Sequence, residues 1–280
     1  MGAATLTTLA RGGLVFDVTD TGGARRGPVV VCLHGFPQDG HAFSAVVPRL
    51  QEEGLRVLVL DQRGYSPRAR PRGRREYVLT ELVDDVVALL DAAGAPTAHV
   101  VGHDWGGVVG WALAAWHPDR VHSLTAVSTP HPAALRAAVV RGTQALNSSY
   151  VAAFQVPVLP ERLLLARSGR LLAQSLRRSG LPPEAARRYA DRMSRTGALT
   201  AALSWYRALP LPGPPVGTVR VPVTYLHGAA DPFFSHAAVV GTADHVGGDY
   251  ERRTLPVGHW VPESAPGAVA DAVLDRVGRE

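Results

Sequence analysis

An aspartate lies in a setting that is typical of a covalent nucleophile. In the stretch "VVGHDWGGVVG" (residues 100–110), an apolar run reaches Gly102, a carboxylate follows at Asp104, and small residues from Gly106 lead into a second apolar run. This spacing is the layout of a nucleophile elbow, in which a serine usually takes the central position. A carboxylate at the start of a helix is expected to be ionised at neutral pH. Asp104 is therefore predicted to act as a nucleophile that needs no base.

Two further residues complete a predicted triad. The segment "YLHGAADPF" places Asp231 after an apolar run, and "LPVGHWVPE" places His259 after a later one. Asp231 could instead cap a turn before Pro232, and His259 could be a surface histidine. The chain order of nucleophile, acid and histidine is nevertheless the order expected when an elbow carries the nucleophile. We therefore predict that Asp231 orients His259.

The predicted triad defines a two-step reaction. An ionised carboxylate can displace a leaving group at saturated carbon and form an ester with the substrate. His259 would then activate a water molecule that hydrolyses the ester. An epoxide oxygen and a halide are both suitable leaving groups, and the epoxide oxygen additionally needs an acid.

The surrounding elements must hold these residues at one edge of a sheet. Short β-branched runs alternate with helical patterns, which favours a mostly parallel α/β sheet flanked by helices. Helical patterns cover 79–93 and 106–116. Strands are predicted at 14–18, 29–33, 57–60, 98–101, 123–127, 221–227 and 250–255.

The alternation stops in the middle of the chain. Between about Pro132 and Pro212 no strand is predicted, and helical patterns cover 161–178 and 184–193. The proline-rich segment "PLPGPPVG" follows before the next strand. We predict a core of residues 1–131 and 216–280, with a helical cap of residues 132–215 inserted between two strands.

Composition limits the class of protein. The chain has 280 residues, of which 46% are hydrophobic, and a net charge of +5 carried by arginine without any lysine. Cys32 is the single cysteine, which excludes an internal disulfide framework. The N-terminus does not resemble a signal peptide, and no segment has the roughly 18 apolar residues of a membrane span. A soluble, cytoplasmic protein without membrane association is expected.

The sequence also limits which partners and cofactors are expected. The arginine cluster at 68–75 lacks interleaved aromatic residues, so it favours a solvated loop over a nucleic-acid site. The histidines do not show metal-ligand spacing, and neither a metal nor a cofactor is expected. The expected partners are a small apolar substrate and water, and the protein could be a monomer or a homodimer.

Five motifs together resemble the α/β-hydrolase fold, and specifically its epoxide hydrolase branch. The resemblance runs from about Val29 to Val261, nearly the whole chain. The motifs are "HGFPQ" (34–38), "DQRGYSP" (61–67), "GHDWGG" (102–107), "STPHP" (128–132) and "GHWVPE" (258–263).

This resemblance implies further roles. The backbone amides of Phe36 and Trp105 would form an oxyanion hole, and the Phe36–Pro37 peptide would be cis. Tyr150 in "SSYVAAFQVP" and Tyr206 in "LSWYRALP" resemble the cap tyrosines that hydrogen-bond an epoxide oxygen. Neighbouring residues are expected to line an apolar substrate pocket, namely His34, Pro37, Phe154, Trp205 and Trp260.

Other functions on the same fold remain open. Haloalkane dehalogenases resemble the elbow but usually carry asparagine in place of Phe36. Fluoroacetate dehalogenases, which act on a haloacid, share "HGFPQ" but carry arginine in place of Trp105. Both differences favour an epoxide hydrolase. A non-catalytic ligand-binding protein of this fold is a further alternative, which the complete triad argues against.

Overall fold

A mixed eight-stranded sheet forms the centre of the protein, in a computed structural model that describes residues 5–22, 27–142 and 144–279. The strands are β1 (Thr8–Arg11), β2 (Leu14–Asp20), β3 (Val29–Leu33), β4 (Arg56–Leu60), β5 (Ala98–His103), β6 (Val121–Val127), β7 (Val223–Gly228) and β8 (Tyr250–Leu255). Their order across the sheet is β1-β2-β4-β3-β5-β6-β7-β8. The first two pairings are antiparallel and the remaining ones are parallel.

The central strands are apolar because both faces of the sheet are covered. In β3, Val31 and Leu33 face one hydrophobic core, whereas Val30 and Cys32 face the other. This alternation follows from the two-residue period of a strand. A parallel sheet buried on both faces is expected to contain such continuous apolar runs.

Helices cover the sheet and fill the long connection between β6 and β7. Those of the described residues are α1 (Val47–Glu52), α2 (Leu79–Ala92), α3 (Trp105–Trp116), α4 (Pro132–Arg141), α5 (Gln144–Asn147), α6 (Ser149–Phe154), α7 (Leu159–Leu164), α8 (Arg170–Arg178), α9 (Pro183–Met193), α10 (Ala198–Ala208), α11 (His236–Gly241), α12 (Val261–Ser264) and α13 (Pro266–Val277). None of the helices in the described ranges is long and apolar enough to cross a membrane.

The helical insertion, defined here as α4 to α10, packs against the same core as one face of the sheet. Leu172, Leu176, Tyr189 and Trp205 of the insertion belong to the hydrophobic core that contains Val31 of β3. Ring contacts of Trp205 with Trp105 and of Tyr206 with Phe36 place α10 at the edge where β5 and β3 end. The predicted domain boundaries, at 131/132 and 215/216, stay predictions.

The α/β fold class is confirmed, and so are the seven predicted strands, whose ends shift by at most two residues. The edge strand β1 was not predicted, because its sequence, "TLAR", buries only Leu9 deeply. The prediction of one helix over 161–178 was wrong. Arg167, Ser168 and Gly169, between α7 and α8, have positive φ angles of 55°, 58° and 78°, so the two helices are not continuous.

Candidate active site

Asp104 occupies a sharp turn between β5 and α3. Its backbone has φ 52° and ψ −120°, a conformation that is strained for a residue with a side chain. The turn is possible because its neighbours are small: a Cβ on Gly102 would overlap the carbonyl of Gly106, and a Cβ on Gly106 would overlap the carbonyl of Leu33. The strand, the turn and the helix therefore hold the Asp104 side chain at the end of the sheet.

The Asp104 carboxylate lies between a backbone amide and an imidazole. Oδ1 accepts a hydrogen bond of 2.8 Å from the Phe36 N–H, and Oδ2 is 3.6 Å from His259 Nε2. The loop after β3 comes this close because Gly35 has no side chain; a Cβ there would overlap that of Asp104. The Phe36–Pro37 peptide is cis, as the resemblance implied. The amide of Phe36 thus binds the predicted nucleophile directly.

His259 is held by the third predicted member of the triad. Its Nδ1 lies 2.8 Å from Asp231 Oδ2, and Asp231 Oδ1 accepts a hydrogen bond of 2.8 Å from the Phe233 N–H. The Asp231 side chain is fully buried, and only 3% of the His259 side chain is exposed. Because Asp231 binds Nδ1, Nε2 is the nitrogen that faces Asp104.

The charges of Asp104 and His259 follow from the contact between these two side chains. Burial by itself would raise the pKa of Asp104, but the hydrogen bond and charge of His259 outweigh it and lower this pKa. Burial likewise opposes the charge on His259, yet Asp231 and Asp104 raise its pKa to about 10. Near neutral pH, therefore, Asp104 is a carboxylate and His259 is an imidazolium.

Trp105 stands at the first position of α3. The N–H at this position has no acceptor within the helix, so it is available to a group beside Asp104. The Trp105 ring packs perpendicular to that of Tyr206, with 5.1 Å between the ring centroids. The role of the Trp105 amide as the second oxyanion donor stays a prediction.

A cavity of about 380 Å³ opens beside Asp104 and His259. Tyr150 on α6 and Tyr206 on α10 both line it, with their ring centroids 6.0 Å apart. Most of the wall is apolar, formed by Phe36, Phe154, Leu164, Leu172, Leu176, Pro232, Phe233 and Trp260. The insertion and the end of the sheet thus line one space, which Tyr150 and Tyr206 share with Asp104 and His259.

Both tyrosines keep their hydroxyl protons in this environment. Burial, reinforced by the charges of Asp104 and Asp231, raises the pKa of Tyr150. Burial, together with Tyr150 and the charge of Asp104, raises the pKa of Tyr206. The two hydroxyl groups therefore stay protonated at neutral pH and can donate hydrogen bonds into the cavity.

Three of the five predicted pocket residues are not among those that line this cavity, and their role in a pocket stays a prediction. The His34 ring points away, where its Nε2 accepts a hydrogen bond of 3.1 Å from the Gln62 N–H. Pro37 is buried in the cis turn. Trp205 donates a hydrogen bond of 2.8 Å to the Arg63 carbonyl. Phe154 and Trp260 do line the cavity.

A buried polar network supports the site, and sequence reasoning missed it. The Gln38 side chain accepts a hydrogen bond of 2.9 Å from the Gly35 N–H and donates one of 2.8 Å to Glu263 Oε1. His103 Nδ1 lies 2.7 Å from Gln38 Oε1, and His103 Nε2 lies 3.0 Å from the His259 carbonyl. The network therefore joins the loop that carries Phe36 to the loop that carries His259.

The same network reaches the insertion. Tyr189 of α9 donates a hydrogen bond of 2.9 Å to Glu263 Oε1. Burial raises the pKa of Glu263 to about 7, although Gln38 and Tyr189 oppose this shift. Gln38, His103 and Glu263 all lie within the motifs quoted above, so their positions were visible in the sequence. Their mutual contacts were not, because they come from three distant segments.

Among the residues that the structure describes, no group of three or more His, Cys, Asp or Glu side chains could hold a metal ion.

Comparisons with known proteins agree with this geometry. The family model of the alpha/beta hydrolase fold matches residues 28–266. A protein named AB hydrolase superfamily protein YfhM, from Bacillus subtilis, is 33% identical over 90% of this chain and 91% of its own. Epoxide hydrolase A from Mycobacterium tuberculosis is 32% identical over 98% of both chains.

A solved structure extends the comparison. The crystal structure of epoxide hydrolase A from Mycobacterium thermoresistibile superposes with a TM-score of 0.82 at 26% identity, covering 99% of this chain and 98% of that one. Family model, relatives and structure point the same way. The chain belongs to the α/β-hydrolase fold family and, within it, to the epoxide hydrolase branch.

Proposed function

We propose that this protein hydrolyses an epoxide to a vicinal diol through a covalent ester on Asp104. The observation that carries the proposal is the position of Asp104: Phe36 binds one carboxylate oxygen at 2.8 Å, and His259 Nε2 lies 3.6 Å from the other. The relationship to epoxide hydrolase A supports the same activity.

In the first step, an Asp104 oxygen attacks an epoxide carbon and the carbon–oxygen bond of the ring breaks. Tyr150 or Tyr206 donates its proton to the departing oxygen, which becomes a hydroxyl group. The alkylated Asp104 no longer carries a charge, so one of the groups that raise the pKa of His259 is lost. The imidazolium of His259 can then pass its proton to the tyrosinate, which leaves the imidazole neutral.

In the second step, neutral His259 takes a proton from water, and the resulting hydroxide attacks the ester carbonyl carbon. The Phe36 N–H stabilises the oxyanion, a contribution typically worth about 3 kcal/mol per donor. When the tetrahedral intermediate collapses, the bond between the carbonyl carbon and the diol oxygen breaks, and the proton of the added hydroxyl group passes to that oxygen, which releases the diol and restores the Asp104 carboxylate. His259 ends as an imidazolium, so protons balance over the cycle.

The tyrosines favour an epoxide over a halide. A departing alkoxide needs a proton, and two protonated hydroxyl groups line the cavity. A halide leaves as a stable anion and does not need an acid. Incubation with styrene oxide and, separately, with a panel of haloalkanes tests the choice. We expect the protein to form the diol from styrene oxide and to release no halide from the haloalkanes. Halide release without diol formation would identify a dehalogenase. Binding of styrene oxide without diol formation would identify a ligand-binding protein.

A His259→Gln variant tests the covalent step. Because the first step uses Asp104 alone as nucleophile, the variant should form the ester but not hydrolyse it. Intact-protein mass spectrometry after exposure to styrene oxide should show a shift equal to one substrate. The matched control is His259→Gln combined with Asp104→Asn, which should show no shift. An unmodified His259→Gln protein would contradict the proposal.

A further inference from the structure

The helical insertion carries nearly all of the exposed large hydrophobic side chains of the protein. Except for Val240, those exposed in the described ranges belong to the insertion or directly follow it, and they are Val139, Val140, Leu146, Val156, Val158, Leu159, Leu163 and Leu209. Single exposed leucines are common on protein surfaces, whereas a group of neighbouring apolar side chains marks a surface that contacts a protein or a membrane. Residues 156–163 form such a group, which is called the outer segment below.

The outer segment lies beside the catalytic cavity. Phe154 precedes it and Leu164 follows it, and both of these residues line the cavity. Leu159 and Leu163 are four residues apart on α7, so they lie on the same face of this helix. Their side chains are 52% and 56% exposed. The outer segment therefore presents an apolar surface to solvent next to the substrate-binding space.

The backbone of the outer segment is strained at Val158. Its φ angle is 69°, a value that a β-branched residue rarely adopts. The Val158 side chain is 52% exposed, so burial in the hydrophobic core does not compensate the strain. Strained residues of this kind concentrate at functional sites. An apolar partner that covers Val158 would supply the burial that the chain itself does not.

The residues around the outer segment are cationic. From Val156 to Arg178 the sequence contains one acidic residue, Glu161, and arginines at positions 162, 167, 170, 177 and 178. The Glu161 carboxylate is only 13% exposed and pairs with Arg207 at 2.8 Å. The arginines at those positions are exposed, and their side chains form no ion pair or hydrogen bond with a described residue. Their positive charges are thus available to a partner.

We propose that the outer segment docks the protein on a membrane surface that contains anionic lipids. Valine and leucine side chains would enter the boundary between headgroups and acyl chains, while the arginines contact lipid phosphate groups. Such a contact is peripheral and does not need a membrane-spanning helix. It departs from the expectation of no membrane association, which depended on spanning segments.

The charge of this surface argues against a second copy of the chain as the partner. A two-fold symmetric dimer places the same patch of both copies face to face. The exposed arginines around the two outer segments would then repel each other, whereas anionic lipid headgroups attract them. A lipid surface is the partner that satisfies both the apolar side chains and the charges.

Sedimentation with lipid vesicles tests the docking. The wild-type protein is mixed with vesicles of phosphatidylcholine and phosphatidylglycerol in equal parts and, separately, with vesicles of phosphatidylcholine alone. We expect the protein to sediment with the anionic vesicles, to bind the neutral ones about ten-fold more weakly, and to be released as salt is added. A protein that stays in the supernatant with both kinds of vesicle overturns the inference, and so does equal binding to both.

Leu159→Gln combined with Leu163→Gln tests the apolar contribution. Both side chains are more than half exposed, so the double variant should unfold in urea as the wild type does. Binding to the anionic vesicles should fall about ten-fold, because the two leucines no longer leave water. Unchanged binding would show that the outer segment does not enter the lipid and would overturn the inference.

Arg162→Glu tests the charge, and Arg220→Glu is its matched control. Arg220 is also exposed, but it precedes β7, at the end of the sheet opposite to the insertion. Arg162→Glu should weaken binding to the anionic vesicles by about five-fold or more, whereas Arg220→Glu should bind as the wild type does. Equal losses in the two variants would mean that only the net charge matters, which contradicts docking through the outer segment.

Analytical ultracentrifugation without lipid tests the other occupant. We expect the wild type and the double leucine variant to sediment as the same species. A wild-type dimer that dissociates in the double variant would show that a second copy covers the outer segment, and would overturn the inference. None of these measurements uses the catalytic reaction, so their outcome is independent of the proposed function.

Discussion

At the scale of single residues, the chemistry depends on how His259 is placed between two carboxylates. Asp231 lies 2.8 Å from His259, and Asp104, which the proposed mechanism alkylates and then restores, lies 3.6 Å from it. Both carboxylates raise the pKa of His259, so in the proposed mechanism the imidazole acts as a base after Asp104 has been alkylated. We therefore expect the two proposed steps to follow one another in this order.

The proposed role of Tyr150 and Tyr206 as proton donors can be tested by substitution. We expect Tyr150→Phe and Tyr206→Phe together to lower kcat/KM for styrene oxide by about 10²- to 10⁴-fold, because the epoxide oxygen loses both proton donors. Each single variant should lose less, since the other hydroxyl remains. Steady-state kinetics of diol formation measure the effect.

Tyr225→Phe is the matched control, because the Tyr225 hydroxyl is buried in β7 without a partner among the described residues and lies outside the cavity lining. It should retain activity. A double variant at Tyr150 and Tyr206 as active as this control would exclude the tyrosines as acids.

At the scale of elements, close contact between β3, β5 and α3 holds the elbow. Gly106 lies in the first turn of α3, against the carbonyls of Leu33 and His34 at the end of β3. Backbone atoms of a central strand cannot move aside for a side chain. Because Gly106 has no side chain, α3 can pack directly against the end of β3, and this close packing fixes the position of Asp104.

Gly106→Ala should therefore lower the free energy of unfolding, by about 1–3 kcal/mol as for an overpacked core. Urea unfolding followed by circular dichroism measures it. Gly110→Ala in the same helix is the control: its Cβ would meet Leu124 Cδ1 at 2.8 Å, the movable end of a side chain. Alanine also favours a helix over glycine by about 1 kcal/mol, which offsets that contact. Equal losses in both variants would argue against a special role for Gly106.

Element patterns explain which parts of the fold could be predicted. Apolar runs such as β3 predict strands because both faces of the sheet are buried. The break at Arg167 and Ser168 was not predictable, since non-glycine residues adopt positive φ there. Helix α10 is buried on almost all sides, so periodicity could not tell that Tyr206 faces the cavity while Trp205 faces away. The triad was predictable because each member follows its own strand.

At the scale of the whole molecule, Glu263 connects the sheet to the insertion. One of its oxygens binds Gln38 of the core and Tyr189 of α9, whereas Oε2 is buried without a partner among the described residues. Burial raises the pKa of Glu263 to about 7. The folded protein therefore binds a proton at Glu263 more tightly than the unfolded chain does.

The raised pKa of Glu263 makes the stability of the protein decrease as the pH rises. Stability contributed by the protonated Glu263 is fully present below the unfolded pKa of about 4.5 and is lost as the pH rises through about 7. Glu263→Gln removes this titration but keeps an acceptor for Gln38 and Tyr189. Urea unfolding at about pH 5 and about pH 8 should show a smaller loss of stability in the variant than in the wild type. An equal loss in both proteins would mean that Glu263 does not titrate in this range.

The most direct test of the covalent route is a single turnover in heavy-oxygen water, with the enzyme in excess over styrene oxide. Because the ester is hydrolysed at its carbonyl carbon, the oxygen of water enters the Asp104 carboxylate, and the diol receives an oxygen that Asp104 already carried. We expect mass spectrometry of the peptide containing Asp104 to show the heavy isotope, and the first diol to be unlabelled. A labelled diol together with an unlabelled Asp104 would contradict the ester, because water would then have attacked the epoxide directly.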